Sequence, residues 1–508
     1  MFHSEKLTQR QPENLADILA WLATDAATDA ALDLAPFQRH CAALANVALD
    51  APRYHRILDL FYSRAHDLSE RLRPRLSEAK LPLDRELRAI ATALIEIHAQ
   101  VASGYERVLQ DAGGRLAHNK WRNPSIVAAR ALRSLSEQFE TSCMVAVPTP
   151  PDLWRRAHTL ARAARDYYEP ETTVVPGVSL DAEKIYKAML ALAATQPEGF
   201  SPQEVALACA YLAQFSTAVD ILRESPAEHS DWYWVDLTQD TGPTPQGRHM
   251  PPAQGEILYC GFRRIARLIG EQIVALEAGV PAGNLRLPEH AAGHAGRCAL
   301  KRMQAHWIEA PQRKRSRRHN NDRAQICIGL NDLWQILDQC DAPMGLESAA
   351  RSETRITEWM VVNESATGFA VMHVAGAIDG LVPGSAIALR TGANQAWNIC
   401  VVRWMKNDNP EHVELGLEIL APAAQSVRLV FRNGDQSQLP TAGLLLPPIP
   451  ALREHAAVLA PSGSYSAKRF FIVSGDDTTQ VTQGRLLSLD MQTGSLELFQ
   501  FEPDPYPL

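Results

Sequence analysis

Positions 313 to 318 read Arg-Lys-Arg-Ser-Arg-Arg, five cations in six positions. Arginine presents a planar fork of donors that grips phosphate or carboxylate in a bidentate fashion, so such a run could clamp an anion. A solvated linker would have the same composition. Downstream, 46 positions after Arg317, stands Asn363-Glu364-Ser365-Ala366-Thr367-Gly368. Asn and Ser at that spacing can bond a ligand or simply their own backbone, with Gly supplying the freedom a turn needs. From Arg297 to Arg323 nine Lys/Arg stand against two acids, Glu309 and Asp322, a local net of +7 in a chain of formal net charge −8. The acidic total argues against general nucleic-acid binding. It leaves the clamp and the linker both open.

Other chemistries find less support. His290 and His294 lie four apart and His306 follows, but no Cys pair or carboxylate stands at ligand spacing, so no metal is expected. No P-loop, GxGxxG, GxSxG or HExxH occurs, no activated nucleophile declares itself, and no enzyme activity is expected. Cysteines at 41, 143, 209, 260, 298, 327, 340 and 400 are scattered singly and read as reduced thiols of a cytoplasmic protein. The start, MFHSEKLTQR, lacks the pattern of a signal peptide. No window approaches the ~18 apolar residues of a membrane span.

Positioning the candidate residues requires elements, and the apolar period names them. Leu87, Ile90, Leu94, Ile97, Val101 and Tyr105 fall three or four apart, one stripe of an amphipathic helix. Ser201-Pro202-Gln203-Glu204 is a capping box with Pro at the first helical position, and Phe200 and Val205 are spaced for a hydrophobic staple. Further helices are expected near 14–24, 37–47, 53–78, 123–142, 152–168, 180–195, 254–279 and 290–308. Residues 1–308 therefore read as all-α, one domain or two, with a long loop at 224–253 anchored by Trp232, Tyr233 and Trp234. Trp154 and Trp307 read as helix-packing residues. After about 320 the period becomes two: Val413, Leu415, Leu417 and Ile419 alternate with Glu414, Gly416 and Glu418. Short strands separated by turns such as LVPGS and KNDNP argue for a small barrel or sandwich.

RxxxR before the first strand, NxSxxG at a strand end, and the "VVRW…HVELGLEIL" hairpin of 401–420 follow in that order. Together they resemble the PilZ domain, over about residues 311–421. The resemblance implies a six-stranded barrel that is a receptor for the bacterial second messenger cyclic di-GMP. It implies that Arg313 and Arg317 grip the nucleotide from a flexible arm, with Arg318 as helper and Lys314–Arg318 as a competing pair. Asn363 and Ser365 would bond guanine and nearby backbone, and Gly368 would allow close approach.

The expected fold is thus multidomain, α plus β. A helical region (1–308) and a basic hinge or arm (309–322) lead to a PilZ-like six-stranded antiparallel barrel (323–424). Residues 425–508 are a C-terminal β extension or a second small β-domain. A loop is expected to be inserted around Cys340 to Arg355. The expected function is a cytoplasmic, non-enzymatic effector in which cyclic di-GMP, its ligand and not a cofactor, orders the arm and fixes the orientation of the helical region. That region would regulate an unknown protein partner, with motility, pilus or secretion machinery as candidates. The alternative is a scaffold or adaptor whose barrel does not bind nucleotide.

Overall fold

The stripe from Leu87 to Tyr105 becomes the buried face of a 29-residue helix, with Ile90, Leu94, Ile97, Val101 and Tyr105 all buried. The computed structural model describes residues 15–113, 124–166, 181–226, 232–309, 317–341, 356–376, 378, 380–392, 395–409, 412–433, 436–437, 440–450, 452–466, 469–474 and 480–504. The first part of the chain carries α1 (Leu15–Leu22), α2 (Leu34–Leu44), α3 (Ala51–Ser77), α4 (Arg85–Gly113), α5 (Pro124–Met144), α6 (Leu153–Asp166), α7 (Ala182–Ala194) and α8 (Pro202–Phe215). The capping box at α8 forms as its residue types require. Ser201 Oγ accepts from Glu204 N at 3.3 Å, and Glu204 Oε2 accepts from Ser201 N at 2.8 Å. Both staple residues, Phe200 and Val205, are buried.

A four-stranded sheet interrupts the helices: β1 (Asp220–Leu222), β2 (Trp232–Asp236), β3 (Thr244–Pro245) and β4 (Ile257–Gly261), in the order β1-β4-β2-β3. This corrects two expectations. The stretch 224–253 is not simply a loop, and the helix expected at 254–279 is a strand followed by α9 (Arg263–Glu277). Short apolar runs such as Ile257-Leu258-Tyr259-Cys260 do not distinguish strand from buried helix by period alone. The aromatic cluster does anchor this segment. Trp234 Nε1 donates to His249 O at 2.6 Å, and Tyr233 Oη to His306 O at 3.2 Å on α10 (His294–Ile308).

Next come β5 (Arg318–His319), β6 (Arg323–Ile328), α11 (Leu330–Asp341), β7 (Ile356–Ser365), β8 (Gly368–Ala375), β9 (Ala386–Arg390), β10 (Asn398–Asn409) and β11 (His412–Ala421). Six of these strands close on themselves, β6-β7-β8-β11-β10-β9 and back to β6, which leaves no free edge. This is the expected six-stranded antiparallel barrel. The insertion between its first strands begins with a helix, α11, that the loop expectation did not include; residues 342–355 lie outside those described.

The tail adds β12 (Gln425–Asn433), β13 (Gln436–Ser437), β14 (Thr441–Leu446), β15 (Ala457–Pro461), β16 (Arg469–Ser474), β17 (Gln480–Gln492) and β18 (Leu496–Pro503). Here too six strands close, β12-β14-β15-β18-β17-β16 and back to β12, around Phe431, Phe470, Phe499 and Phe501. The tail is therefore a second barrel, not an extension of the first.

Three seams join the parts. Apolar residues of the helices and of the first barrel interior, among them Trp359, Val371 and Leu415, belong to one buried cluster. Backbone bonds cross that seam, Leu381 N to Leu81 O at 3.1 Å and Asn407 N to Ala146 O at 2.8 Å. Helix α11 packs between the barrels, burying Leu333, Ile336 and Leu337 with Trp397, Leu444 and Leu446. Finally, the buried Glu497 of the second barrel accepts from Tyr465 N at 2.7 Å and lies 3.3 Å from His294 of α10.

Two expected outcomes follow from the packing. Leu333→Ala removes a fully buried side chain between barrels and lowers the free energy of unfolding by about 2–5 kcal/mol, read from urea denaturation. Burial pulls the imidazoles of His98 and His306 down to about 4. Unfolded histidines titrate near ~6.5, so between those values the unfolded chain holds more protons and stability falls as pH drops. Thermal midpoints measured from pH 7 down to 4.5 should decline; a flat profile contradicts this.

Candidate ligand-binding site

Strands β7 and β8 meet in a tight hairpin whose turn residues, Ala366 and Thr367, are exposed. Ser365 Oγ donates to Gly368 O at 3.2 Å and accepts from Thr367 N at 3.4 Å, so this hydroxyl closes its own turn. A Cβ on Gly368 would lie 2.1 Å from Leu417 O, and Gly368 pairs in register with Glu418 of β11. Glycine is demanded here by the approach of a neighbouring backbone. Ile419 N completes the junction, donating to Thr367 O at 3.0 Å.

Asn363 sits two residues before Ser365, beside an irregularity where Val361 pairs with Val371 and Asn363 with Ala370. Its Oδ1 is buried and has no hydrogen-bond partner among the described residues. A buried acceptor left unpaired costs about 1–3 kcal/mol, so this oxygen is the conspicuous unspent group of the motif.

The basic segment divides. Arg313 lies outside the described residues, as does the rest of 310–316. Arg317 is exposed immediately before β5. From Arg318 onward the chain is not a free arm, which corrects that expectation for 318–322. Arg318 pairs in register with Glu364 and His319 with Asn363. Asn320 N donates to Val362 O at 3.3 Å, and Val361 N to Asp322 O at 2.8 Å. In effect β5 prolongs the line of β6 along β7, because both strands pair with it. The fold thus brings Arg318 beside Asn363, Ser365 and Gly368 at one end of the barrel.

Several residues at this end were not singled out by motif. Glu364, between Asn363 and Ser365, accepts from Asn320 Nδ2 at 3.2 Å. Arg403 is ion-paired with Glu418, the residue opposite Gly368. Trp404 lies across Gly416, where a Cβ would meet the indole Nε1. The period-two pattern of β11 could have pointed to Glu418, since it stands on the outward side of an alternating strand. Nothing in the local pattern marks Asn320.

A path of contacts runs from this end to the helices. Arg403 O lies 3.0 Å from the position a Cβ on Gly199 would take, and Gly199 O accepts from Arg302. Arg302 also bonds Glu204 Oε1 at 2.8 Å and stacks over Phe200 at 4.3 Å. Among the described residues no group of three His, Cys, Asp or Glu could hold a metal ion, and no helix is long and apolar enough to cross a membrane.

Family comparisons bear on all three parts. Residues 16–227 match the model described as the N-terminal domain of the cyclic-di-GMP receptor FimW, 335–426 its middle PilZ domain, and 426–504 its C-terminal β-barrel domain. The curated protein named cyclic-di-GMP receptor FimW, from Pseudomonas aeruginosa PAO1, is 22% identical over 520 residues, covering 88% of this chain and 83% of that one. No solved structure matches.

Gly368→Ala should lower the unfolding midpoint by an amount corresponding to about 1–3 kcal/mol, measured by denaturation, because the added methyl meets a backbone carbonyl that cannot move alone.

Proposed function

We propose that this chain, whose residues 335–426 match a PilZ domain, is a non-enzymatic cytoplasmic receptor for cyclic di-GMP whose site is the rim where the basic segment meets the β7–β8 hairpin. The ligand residues on this reading are Arg313, Arg317 and Arg318 for phosphate and the guanine edge, and Asn363, Ser365 and Gly368 from the hairpin. The observation that carries it is the pairing of Arg318-His319 with Glu364-Asn363, which sets the end of the basic run against the NxSxxG strand. An arginine-bearing strand paired with the strand that carries a buried unpaired carbonyl oxygen suits a ligand that combines two phosphates with two purines rich in donors.

Nucleotide binding, in this proposal, engages the basic segment at the rim and sets the orientation of the helical region for regulation of a protein partner. Support comes from the contacts that lead from Gly368 through Glu418 and Arg403 to Gly199. The two parts already share a core, so the change would be a small repacking at that seam. A second reading, an adaptor with a barrel that binds no nucleotide, is favoured by one observation. Ser365 and Gly368 both have structural tasks inside the hairpin that need no ligand.

Calorimetric titration of the full chain with cyclic di-GMP separates them. Micromolar or tighter binding, weakened at least about tenfold by Arg313→Ala/Arg317→Ala or by Arg318→Ala, is expected, each lost bidentate contact being worth ~1–3 kcal/mol. Absence of heat and of any thermal shift leaves the adaptor.

A further inference from the structure

Glu364 is an odd residue to find in a site for a dianion. It stands between Asn363 and Ser365, and its register partner is Arg318. Side chains directly opposite on antiparallel strands share a face, with Cβ atoms about 4.5–5.5 Å apart. The carboxylate is therefore within reach of the guanidinium, yet the Arg318 side chain has no hydrogen-bond or ion-pair partner among the described residues. Glu364 instead accepts from Asn320 Nδ2 at 3.2 Å. Asn320 is itself held from two sides: its Oδ1 accepts from Asp322 N at 2.9 Å, and its own N–H donates to Val362 O at 3.3 Å. The amide is thus a fixed bracket, and the acid is tied to it.

We propose that Glu364 is an affinity-setting residue, a fixed negative charge on the Arg318 face of the anion site that Asn320 holds away from Arg318. This rests on the receptor reading above and adds to it a residue that no motif assigns. Two consequences have opposite sign. The carboxylate repels the phosphates of an incoming nucleotide, so it raises the ligand concentration at which the site fills. Its tether to Asn320 keeps it from neutralising Arg318, so the clamp stays available. The receptor is then tuned to respond only above a threshold, by one charge and one amide.

The test is a double-mutant cycle on the full chain, with cyclic di-GMP titrated calorimetrically at two salt concentrations. Glu364→Gln keeps an oxygen for Asn320 and should bind roughly three- to tenfold tighter at low salt, the range for removing one nearby like charge at a half-exposed site. That gain should shrink as salt rises, which a purely structural effect would not do. Asn320→Ala should bind more weakly, because the freed carboxylate turns to Arg318. In the Glu364→Gln background the Asn320→Ala change should have no further effect.

Unchanged or weaker binding by Glu364→Gln overturns the proposal; weaker binding would make the carboxylate a direct ligand contact. A loss on Asn320→Ala that persists in the Gln background, or no loss at all, overturns the role given to Asn320. Wild-type protein that gives no signal brings down the receptor reading itself, an outcome distinct from all of these.

Discussion

Two backbones approach so closely at Gly368 that no side chain fits between them. Leu417 O occupies the space a Cβ would need, and the register Gly368–Glu418 follows from that contact. Closure of the first barrel runs through this junction, since β8 has only β7 and β11 as neighbours. Shift the junction by one residue and every side chain of β8 changes face. Val371 would then turn away from Leu415 and Met405, and the core shared with the helices would open. The rim constellation is thus a by-product of how the barrel shuts.

The helical region does not hang from the barrel on a tether. It caps it, with the carbonyls of Leu81 and Ala146 accepting directly from the backbone N–H groups of Leu381 and Asn407 in the barrel. An interior shared in this way transmits strain better than a linker does, because close-packed cores shift between discrete arrangements and do not deform smoothly. At the seam Asn407 is almost fully buried with both amide atoms unpaired among the described residues. Such a group weakens the interface that contains it.

Much of this was legible in the residues. The period of 3.6 from Leu87 to Tyr105, the capping box at Ser201 and the alternation from Val413 to Ile419 each act locally, so each reads directly. The barrel could be inferred because its strands are short, regular and separated by turn residues. Three things resisted. The strand at Ile257–Gly261 is an apolar run too short to show a period. Helix α11 owes its place to Leu333, Ile336 and Leu337 meeting a second barrel far along the chain. The bracket formed by Asn320 and Glu364 depends on strand register, which no local pattern encodes. At the site itself, Asn363, Ser365 and Gly368 lie on two strands next to Arg318, while the structural tasks of Ser365 and Gly368 emerged only from the neighbouring strand.

Helix α11 has an implication for inheritance. It is inserted between two strands of the first barrel, yet its apolar face is completed by Leu444 and Leu446 of the second, with Trp334 Nε1 reaching Val427 O at 2.8 Å. A recombination event that kept the first barrel and discarded the second would expose Leu333, Ile336, Leu337 and Trp397 together. Aggregation would punish that product before any loss of signalling could. The two barrels are therefore bound to descend as one unit.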